Sequence, residues 1–177
     1  MVAVPPPSLL DIERTFLPVA QMRQISRVTQ LDGAVISGEV DLGAEHWVYP
    51  QHFPGDPIFP GTLMIEAAGQ LVALWAWANG ERGRPRLVRV EAEFHGPVGR
   101  TEQRLELRAE VRRKRNLCFG RVAVQAAAGE VASVNAVLVV LPAAPDAAYD
   151  SSPGTSAASS PRRNPATSST GTRRDSR

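Results

Sequence analysis

Apolar and polar residues alternate strictly along two stretches in the middle of the chain. Residues 88–94 place apolar side chains at even positions and charged ones at odd positions, and residues 105–111 place apolar side chains at odd positions and charged ones at even positions. A period of two puts every second side chain on the same face of a β-strand. Two further strands, at 117–127 and 131–141, meet at a turn that contains Gly129. The pattern predicts an antiparallel sheet with one solvent-facing side and one buried side.

A single long helix interrupts the predicted strands. Strands at 22–29 and 34–41 are joined at Asp32-Gly33, a strong hairpin signal. Residues 62–78 then form a segment that is apolar nearly all round and ends at Asn79-Gly80, so we expect a helix buried on every side. The predicted fold class is α+β. A curved antiparallel sheet of about six strands wraps around one long central helix, which describes a hot-dog fold.

Composition divides the chain after Pro142. Hydrophobic residues make up 43% of the sequence, enough for a core, but residues 143–177 consist mainly of Ser, Pro, Ala, Thr and Arg. Such a segment cannot bury enough apolar surface to offset its ordering entropy. We therefore predict one folded domain at residues 1–142 and a disordered tail at 143–177.

Charge and cysteine content exclude several classes of protein. A net charge of +2 gives no argument for nucleic-acid binding, and Cys118, the only cysteine, cannot form an intramolecular disulfide. The three histidines and one cysteine have no zinc-type spacing. The longest apolar run, at 63–78, is too short and too polar to span a bilayer. We expect a cytoplasmic protein that needs no metal or cofactor and binds neither nucleic acid nor membrane.

Glu66 and Gln70 are the polar side chains within the apolar helix, and they lie one turn apart on one face. A carboxyl in apolar surroundings disfavours its ionised form and can serve as a general acid. A second interpretation stays open, in which Glu66 near the helix start is stabilised by the helix dipole.

The approach to this helix is stiffened by three prolines and carries His52 at its start. Gly61 lies where the helix begins, and the free N–H groups of a first helical turn can stabilise an oxyanion. A surface loop that merely starts a helix is the alternative for His52. Base, acid and oxyanion site together predict proton abstraction beside a thioester carbonyl, with loss of a leaving group.

The stretch "HFPGDPIFPGTLMIEAAGQ" at 52–70 closely resembles the signature of the β-hydroxyacyl-acyl carrier protein dehydratases of fatty-acid synthesis. Weaker likeness continues through "TFLPV", "FHGPV" and "QRLEL". The resemblance implies a hot-dog dimer that converts a 3-hydroxyacyl thioester to its trans-2-enoyl form. It assigns His52 as catalytic base and Glu66 as catalytic acid, the pair in each site coming from opposite subunits. The Gly61 amide would bind the thioester carbonyl, the Ile58 carbonyl would orient the imidazole, and Gln70 would contact substrate.

Glu66 matches the dehydratase-only branch of that family, whereas Asp56-Pro57 is more similar to the branch that also isomerises the double bond. Two departures occur outside the catalytic groups: Gln51 replaces a glycine, and Ala20-Gln21 replaces an Asp-Arg pair. These departures suggest a divergent member that acts in polyketide or other specialised lipid synthesis, as a homodimer or as a heterodimer with a related subunit.

Two other functions remain open: a structural subunit that supports a catalytic paralogue, and a hot-dog thioesterase. The resemblance also implies an acidic acyl carrier protein as partner. Two basic clusters are candidates for docking it, and each is also explained as ordinary solvated charge. They comprise Arg82, Arg84, Arg86 and Arg89, and Arg112, Arg113, Lys114 and Arg115.

Overall fold

The computed structural model describes residues 17–142. The predicted tail at 143–177 lies outside this range. Within it, a short 3-10 helix (Ala20–Met22) precedes six strands and one long helix. In chain order these are β1 (Arg27–Asp32), β2 (Val35–Asp41), α1 (Gly61–Ala78), β3 (Arg84–Phe94), β4 (Arg104–Lys114), β5 (Leu117–Ala126) and β6 (Gly129–Leu141).

The strands form a single antiparallel sheet in the order β1-β2-β4-β5-β6-β3. Tight turns join β1 to β2, β4 to β5 and β5 to β6, and Gly33 adopts a φ of 55° in the first of them. Helix α1 packs against β2 through β6. This arrangement confirms the predicted hot-dog fold, in which a curved sheet wraps one helix.

The alternation along β4 sorts its side chains between core and solvent as predicted. Leu105, Leu107, Ala109 and Val111 are each at most 3% exposed, while the charged residues between them face outward. The helix approaches this dry face very closely. A Cβ atom at Gly120 of β5 would lie only 2.2 Å from Val72 of α1, so glycine is required there.

The first strand begins later than the sequence predicts, at Arg27 instead of residue 22. The intervening backbone bonds to β2 only at Ser26, whose N–H donates to the Glu39 carbonyl at 2.8 Å. Its polar groups at Met22, Gln24 and Ile25 bond instead to the side-chain amide of Gln70. The Gln70 side chain of α1 thus takes the place of a neighbouring strand as the hydrogen-bond partner of residues 22–25. Local sequence patterns do not reveal such a contact.

The prediction that α1 is buried on every side is wrong for one stripe of the helix. Ile65, Glu66 and Gly69 are only partly buried, since within residues 17–142 no strand packs fully over them. Strand β3 is similarly open. Its Leu87, Val88 and Phe94 are 48%, 58% and 50% exposed. A stripe of the helix and an apolar edge strand therefore lie uncovered in the described part of the chain.

Candidate active site

His52 is held at three points by the loop that precedes α1. Its N–H donates to the Val48 carbonyl at 2.9 Å, and its own carbonyl accepts from the Ile58 N–H at 3.1 Å. The imidazole Nδ1 lies 3.2 Å from the Ile58 carbonyl oxygen. The ring is half-buried, so it is both fixed and reachable.

The contact with Ile58 assigns the protons of this imidazole. A backbone carbonyl can only accept a hydrogen bond, so Nδ1 must be the nitrogen that carries the hydrogen. In the neutral ring Nε2 then keeps its lone pair and can accept a proton. The loop therefore presents His52 in the tautomer that a base requires.

The loop itself is anchored to the segment that follows β3. Ile58 forms a bridge with Gly99, and the Phe59 N–H donates to the Val98 carbonyl at 2.7 Å. The Tyr49 hydroxyl donates to the Gly99 carbonyl at 3.2 Å. These bonds fix the position of His52 relative to the end of β3.

A second histidine, His46, lies in an aromatic cluster with Trp47, Tyr49 and Phe59. Burial lowers the pKa of His46. Burial also raises the pKa of Tyr49, reinforced by the Glu102 carboxylate and opposed by Arg100. The two shifts favour the uncharged forms, which suits a role in packing the loop.

The helix starts at Gly61 with Pro60 as its N-cap, and no side chain caps it. Its first-turn N–H groups therefore carry the partial positive charge of an open helix end. The Phe94 ring at the end of β3 lies against this point. A Cβ at position 61 would be 2.7 Å from two of its ring atoms. Glycine at position 61 lets Phe94 approach the start of the helix.

Gln70 holds the Glu66 carboxylate one turn away on α1. Its Nε2 donates to Glu66 Oε1 at 2.9 Å and to the Met22 carbonyl at 2.6 Å. Its Oε1 accepts from the N–H groups of Gln24 at 2.8 Å and Ile25 at 3.3 Å. Both amide hydrogens and both oxygen lone pairs of Gln70 are in use, and the residue is 3% exposed.

Glu66 is half-buried and lines a cavity of about 220 Å³ over the inner side of β3. The cavity walls include Leu17, Pro18 and Leu87. His52 does not line this cavity, and within residues 17–142 no hydrogen bond joins its imidazole to the Glu66 carboxylate. One chain thus brings Glu66 and Gln70 together, and holds His52, Ile58 and Gly61 on the loop and helix start.

Three residues beside the site were not assigned from the sequence: Leu17 and Pro18 at the Glu66 cavity, and Phe94 at Gly61. A signal for them exists, since Leu17 and Pro18 belong to the "TFLPV" stretch and Phe94 opens "FHGPV". The weakly similar flanking pieces are the ones that fold back onto the site.

Other reactive groups contribute no second centre among the described residues. Cys118 is 1% exposed, and burial raises its pKa, with Glu81 adding to the effect and Arg113 opposing it. Within residues 17–142 no cluster of three His, Cys, Asp or Glu side chains is placed to hold a metal ion. None of the helices in that range combines the length and apolar character needed to cross a bilayer.

Comparison with known proteins identifies the family. Residues 17–135 match the FabA-like domain. The chain belongs to this family. The matched range includes β1 through β5, the His52 loop and the whole of α1, so the family covers the entire candidate site.

Solved structures share the fold of this FabA-like domain at low sequence identity. The dehydratase heterocomplex ApeI:P of Xenorhabdus doucetiae is 13% identical, with 73% of this chain and 90% of that chain covered and a TM-score of 0.61. A thioesterase of Staphylococcus aureus is 9% identical, covering 65% and 92%, with a TM-score of 0.55. AziG of S. sahachiroi is 20% identical, covering 66% and 90%, with a TM-score of 0.50. The hot-dog fold of this chain thus occurs in both dehydratases and thioesterases.

Proposed function

We propose that the protein removes water from a 3-hydroxyacyl thioester, delivered by an acyl carrier protein in the cytoplasm, to give the trans-2-enoyl thioester. The contact between His52 Nδ1 and the Ile58 carbonyl carries this proposal, because it leaves Nε2 free to act as a base on a rigid loop. A thioester makes the hydrogen on its C2 carbon acidic, and the loss of that hydrogen starts the reaction.

In the proposed reaction, His52 Nε2 takes a proton from C2 while the C3–O bond breaks. The electron pair of the C2–H bond becomes the new double bond. The Glu66 carboxyl gives its proton to the departing hydroxyl, which leaves as water. Proton transfer from His52 back to Glu66 through solvent restores both groups. No cofactor enters this balance.

Glu66 depends on Gln70 for its position in this mechanism. The Gln70 amide fixes Glu66 Oε1 and at the same time ties α1 to the 22–25 segment. A direct contact between Gln70 and substrate would cost one of its four hydrogen bonds, which a buried amide does not give up readily. We therefore propose a positioning role for Gln70 in place of the substrate contact predicted from the sequence.

The Gly61 amide completes the proposed site. It lies at an open helix end, where negative charge on a thioester oxygen would be stabilised as C2 loses its proton. Phe94 packs beside it and would shield that oxygen from water. Exclusion of water strengthens a charge-dipole interaction of this kind.

We propose that two chains form each site. His52 and Glu66 do not share a cavity in one chain, and the uncovered stripe of α1 lies beside the exposed edge strand β3. Pairing of β3 with a second β3 would cover that stripe and bring the His52 loop of one subunit towards Glu66 of the other. The second chain is another copy or a related subunit; the X. doucetiae neighbour is a dehydratase heterocomplex.

A thioesterase is the second candidate function, favoured by the S. aureus neighbour and by the partly open Glu66 carboxylate. In that case Glu66 would activate water for attack on the thioester carbonyl. The difference between the two reactions is chemical: dehydration keeps the thioester, whereas hydrolysis releases its thiol.

The decisive experiment supplies purified protein with a 3-hydroxyacyl pantetheine thioester and follows enoyl absorbance and free thiol separately. We expect enoyl absorbance to rise without thiol. His52→Ala and Glu66→Gln should each lower the rate by about 100-fold or more while remaining folded. Thiol release without enoyl product would establish the thioesterase. Inactivity of the protein alone, together with activity after addition of a related subunit, would show that the heterodimer is the working form.

A further inference from the structure

The outer face of the sheet, opposite α1, contains a shallow concavity of about 580 Å³ that spans β3, β6, β5 and β4. We call it the outer trough. The strand register places four of its lining residues side by side in one row. This row runs Arg89, Val137, Phe119, Arg112 across the four strands.

The next row along the same strands repeats the pattern. It runs Arg86, Val139, Leu117, Lys114 and lies just beyond the residues that line the trough, and Arg86 also borders the Glu66 cavity. In both rows a cation stands at each end and apolar side chains fill the middle. Two members of each basic cluster, which are far apart in the sequence, are therefore brought to one face, with a strip of Val and Leu side chains and one Phe ring between them.

All charged residues in these two rows are cations, and their contacts with neighbouring anions are weak. The Arg112 guanidinium lies over the Phe119 ring, 4.3 Å from its centroid. Arg89 approaches Glu91 at 3.8 Å, but the two side chains are 70% and 65% exposed, so solvent screens this pair. The positive potential of the two rows is thus available to a ligand.

The acidic residues that line the trough lie in the adjacent row. Glu91 and Glu110 occupy its two outer strands, with Asn135 and Arg121 between them. This row limits the basic surface to one end of the sheet. It would also repel a continuous chain of phosphates, and the aliphatic strip offers little for bases to stack on.

The C-terminal segment of the chain does not supply a complementary charge. Residues 143–177 carry five arginines and three aspartates, so their net charge has the same sign as the trough. A second copy placed face to face would bring arginines against arginines. Both alternatives are opposed by like-charge repulsion.

We propose that the outer trough binds an acidic segment of another protein, one that presents apolar side chains flanked on both sides by carboxylates. The apolar strip would bury the centre of that segment, and the four terminal cations would orient it. The surface lies on the opposite side of the sheet from Glu66, and pairing of β3 edges would extend the sheet without covering this face.

The test uses the full chain and a fluorescein-labelled, 16-residue amphipathic peptide whose leucines are flanked by glutamates. Arg112→Glu is compared with Arg108→Glu, which reverses the same charge on the same strand and face, but two rows away beside Ser37 and Ala123. Fluorescence anisotropy should show that Arg112→Glu weakens binding by about 10-fold and Arg108→Glu by less than about twofold. Phe119→Ser should weaken the binding that remains at high salt, where charge is screened.

Equal losses for the two arginine variants would overturn the proposal, because they would indicate attraction to net charge alone. So would absence of saturable peptide binding, or tighter binding of a single-stranded oligonucleotide of equal charge. An unchanged affinity of Phe119→Ser at high salt would also overturn it. The peptide assay uses no acyl substrate, so its failure and a failure of the proposed dehydration are distinguishable.

Discussion

The two edges of the sheet differ in length and in what they expose. Strand β1 has 6 residues and ends the sheet with polar groups, including Arg27, which contacts the carboxylates of Glu39 and Asp41. Strand β3 has 11 residues and exposes Leu87, Val88 and Phe94. Short, charged strands discourage further pairing, whereas long apolar ones permit it.

This difference leaves the β3 edge open to pairing and the β1 edge closed to it, as the proposed two-chain site requires. The open edge is also the one beside the candidate site: Leu87 lines the Glu66 cavity and Phe94 packs on Gly61. Strand β3, whose edge is open to pairing with a second chain, therefore also forms part of the wall of the candidate site. We expect that changes in β3 will affect both subunit assembly and catalysis, and that changes in β1 will affect neither appreciably.

Introducing a carboxylate at each edge gives the largest expected contrast. Val88 and Thr29 are exposed residues at the irregular positions of β3 and β1, respectively. Val88→Glu should yield a folded monomer with at least ~100-fold lower turnover, because charge repels charge across the paired edge. Thr29→Glu is the matched control and should remain a dimer with nearly normal turnover. Molar mass by light scattering and steady-state rates measure both; a dimeric, active Val88→Glu would refute the role of β3.

Mixing two inactive variants tests whether pairing at the β3 edge brings His52 of one chain and Glu66 of another into one active site. His52→Ala and Glu66→Gln, unfolded and refolded together, should recover about a quarter of wild-type activity, since half the dimers are mixed and one of their two sites is intact. Each variant refolded alone is the control. No recovery in dimers shown by mass spectrometry to be mixed would mean that each chain supplies its own pair.

A smaller effect is expected at the end of β3, where the edge meets the helix start. Phe94→Ala should lower kcat/KM by about 10-fold, because the thioester oxygen at Gly61 becomes more hydrated. Phe94→Leu should restore most of the loss, and both variants should remain dimers. Unchanged kinetics would show that Phe94 only packs, and a monomeric Phe94→Ala would show that it belongs to the subunit contact.

Much of this fold can be predicted because the alternation along β4 is local and unambiguous. The sequence around His52 and Glu66 likewise identifies the candidate groups, since prolines, glycines and a carboxyl in an apolar helix are unusual together. The helix boundary is also close to expectation, with Asn79-Gly80 following its last residue, Ala78.

What could not be predicted depends on contacts between distant parts of the chain. Gln70 draws the 22–25 backbone away from the sheet, which shortens β1. The uncovered stripe at Ile65 and Gly69 arises because no strand in the described part of the chain packs fully over that side of α1, and the sequence of the helix alone does not distinguish an open apolar side from a buried one. The alignment of Arg89 with Arg112 requires the register of four strands.

The close approach of α1 to the sheet has a consequence for substrate length. A methyl group at Gly120 would overlap Val72, and one at Gly38 would lie 3.0 Å from Leu71 Cδ1. At these two points, in β5 and in β2, no room is left between helix and sheet for an acyl chain. In the proposed reaction the chain must instead run along the open side of α1, where its far end meets the neighbouring subunit. That neighbour would limit the length of the acyl chain. This subunit, paired with two different partners, would therefore select acyl chains of two different lengths.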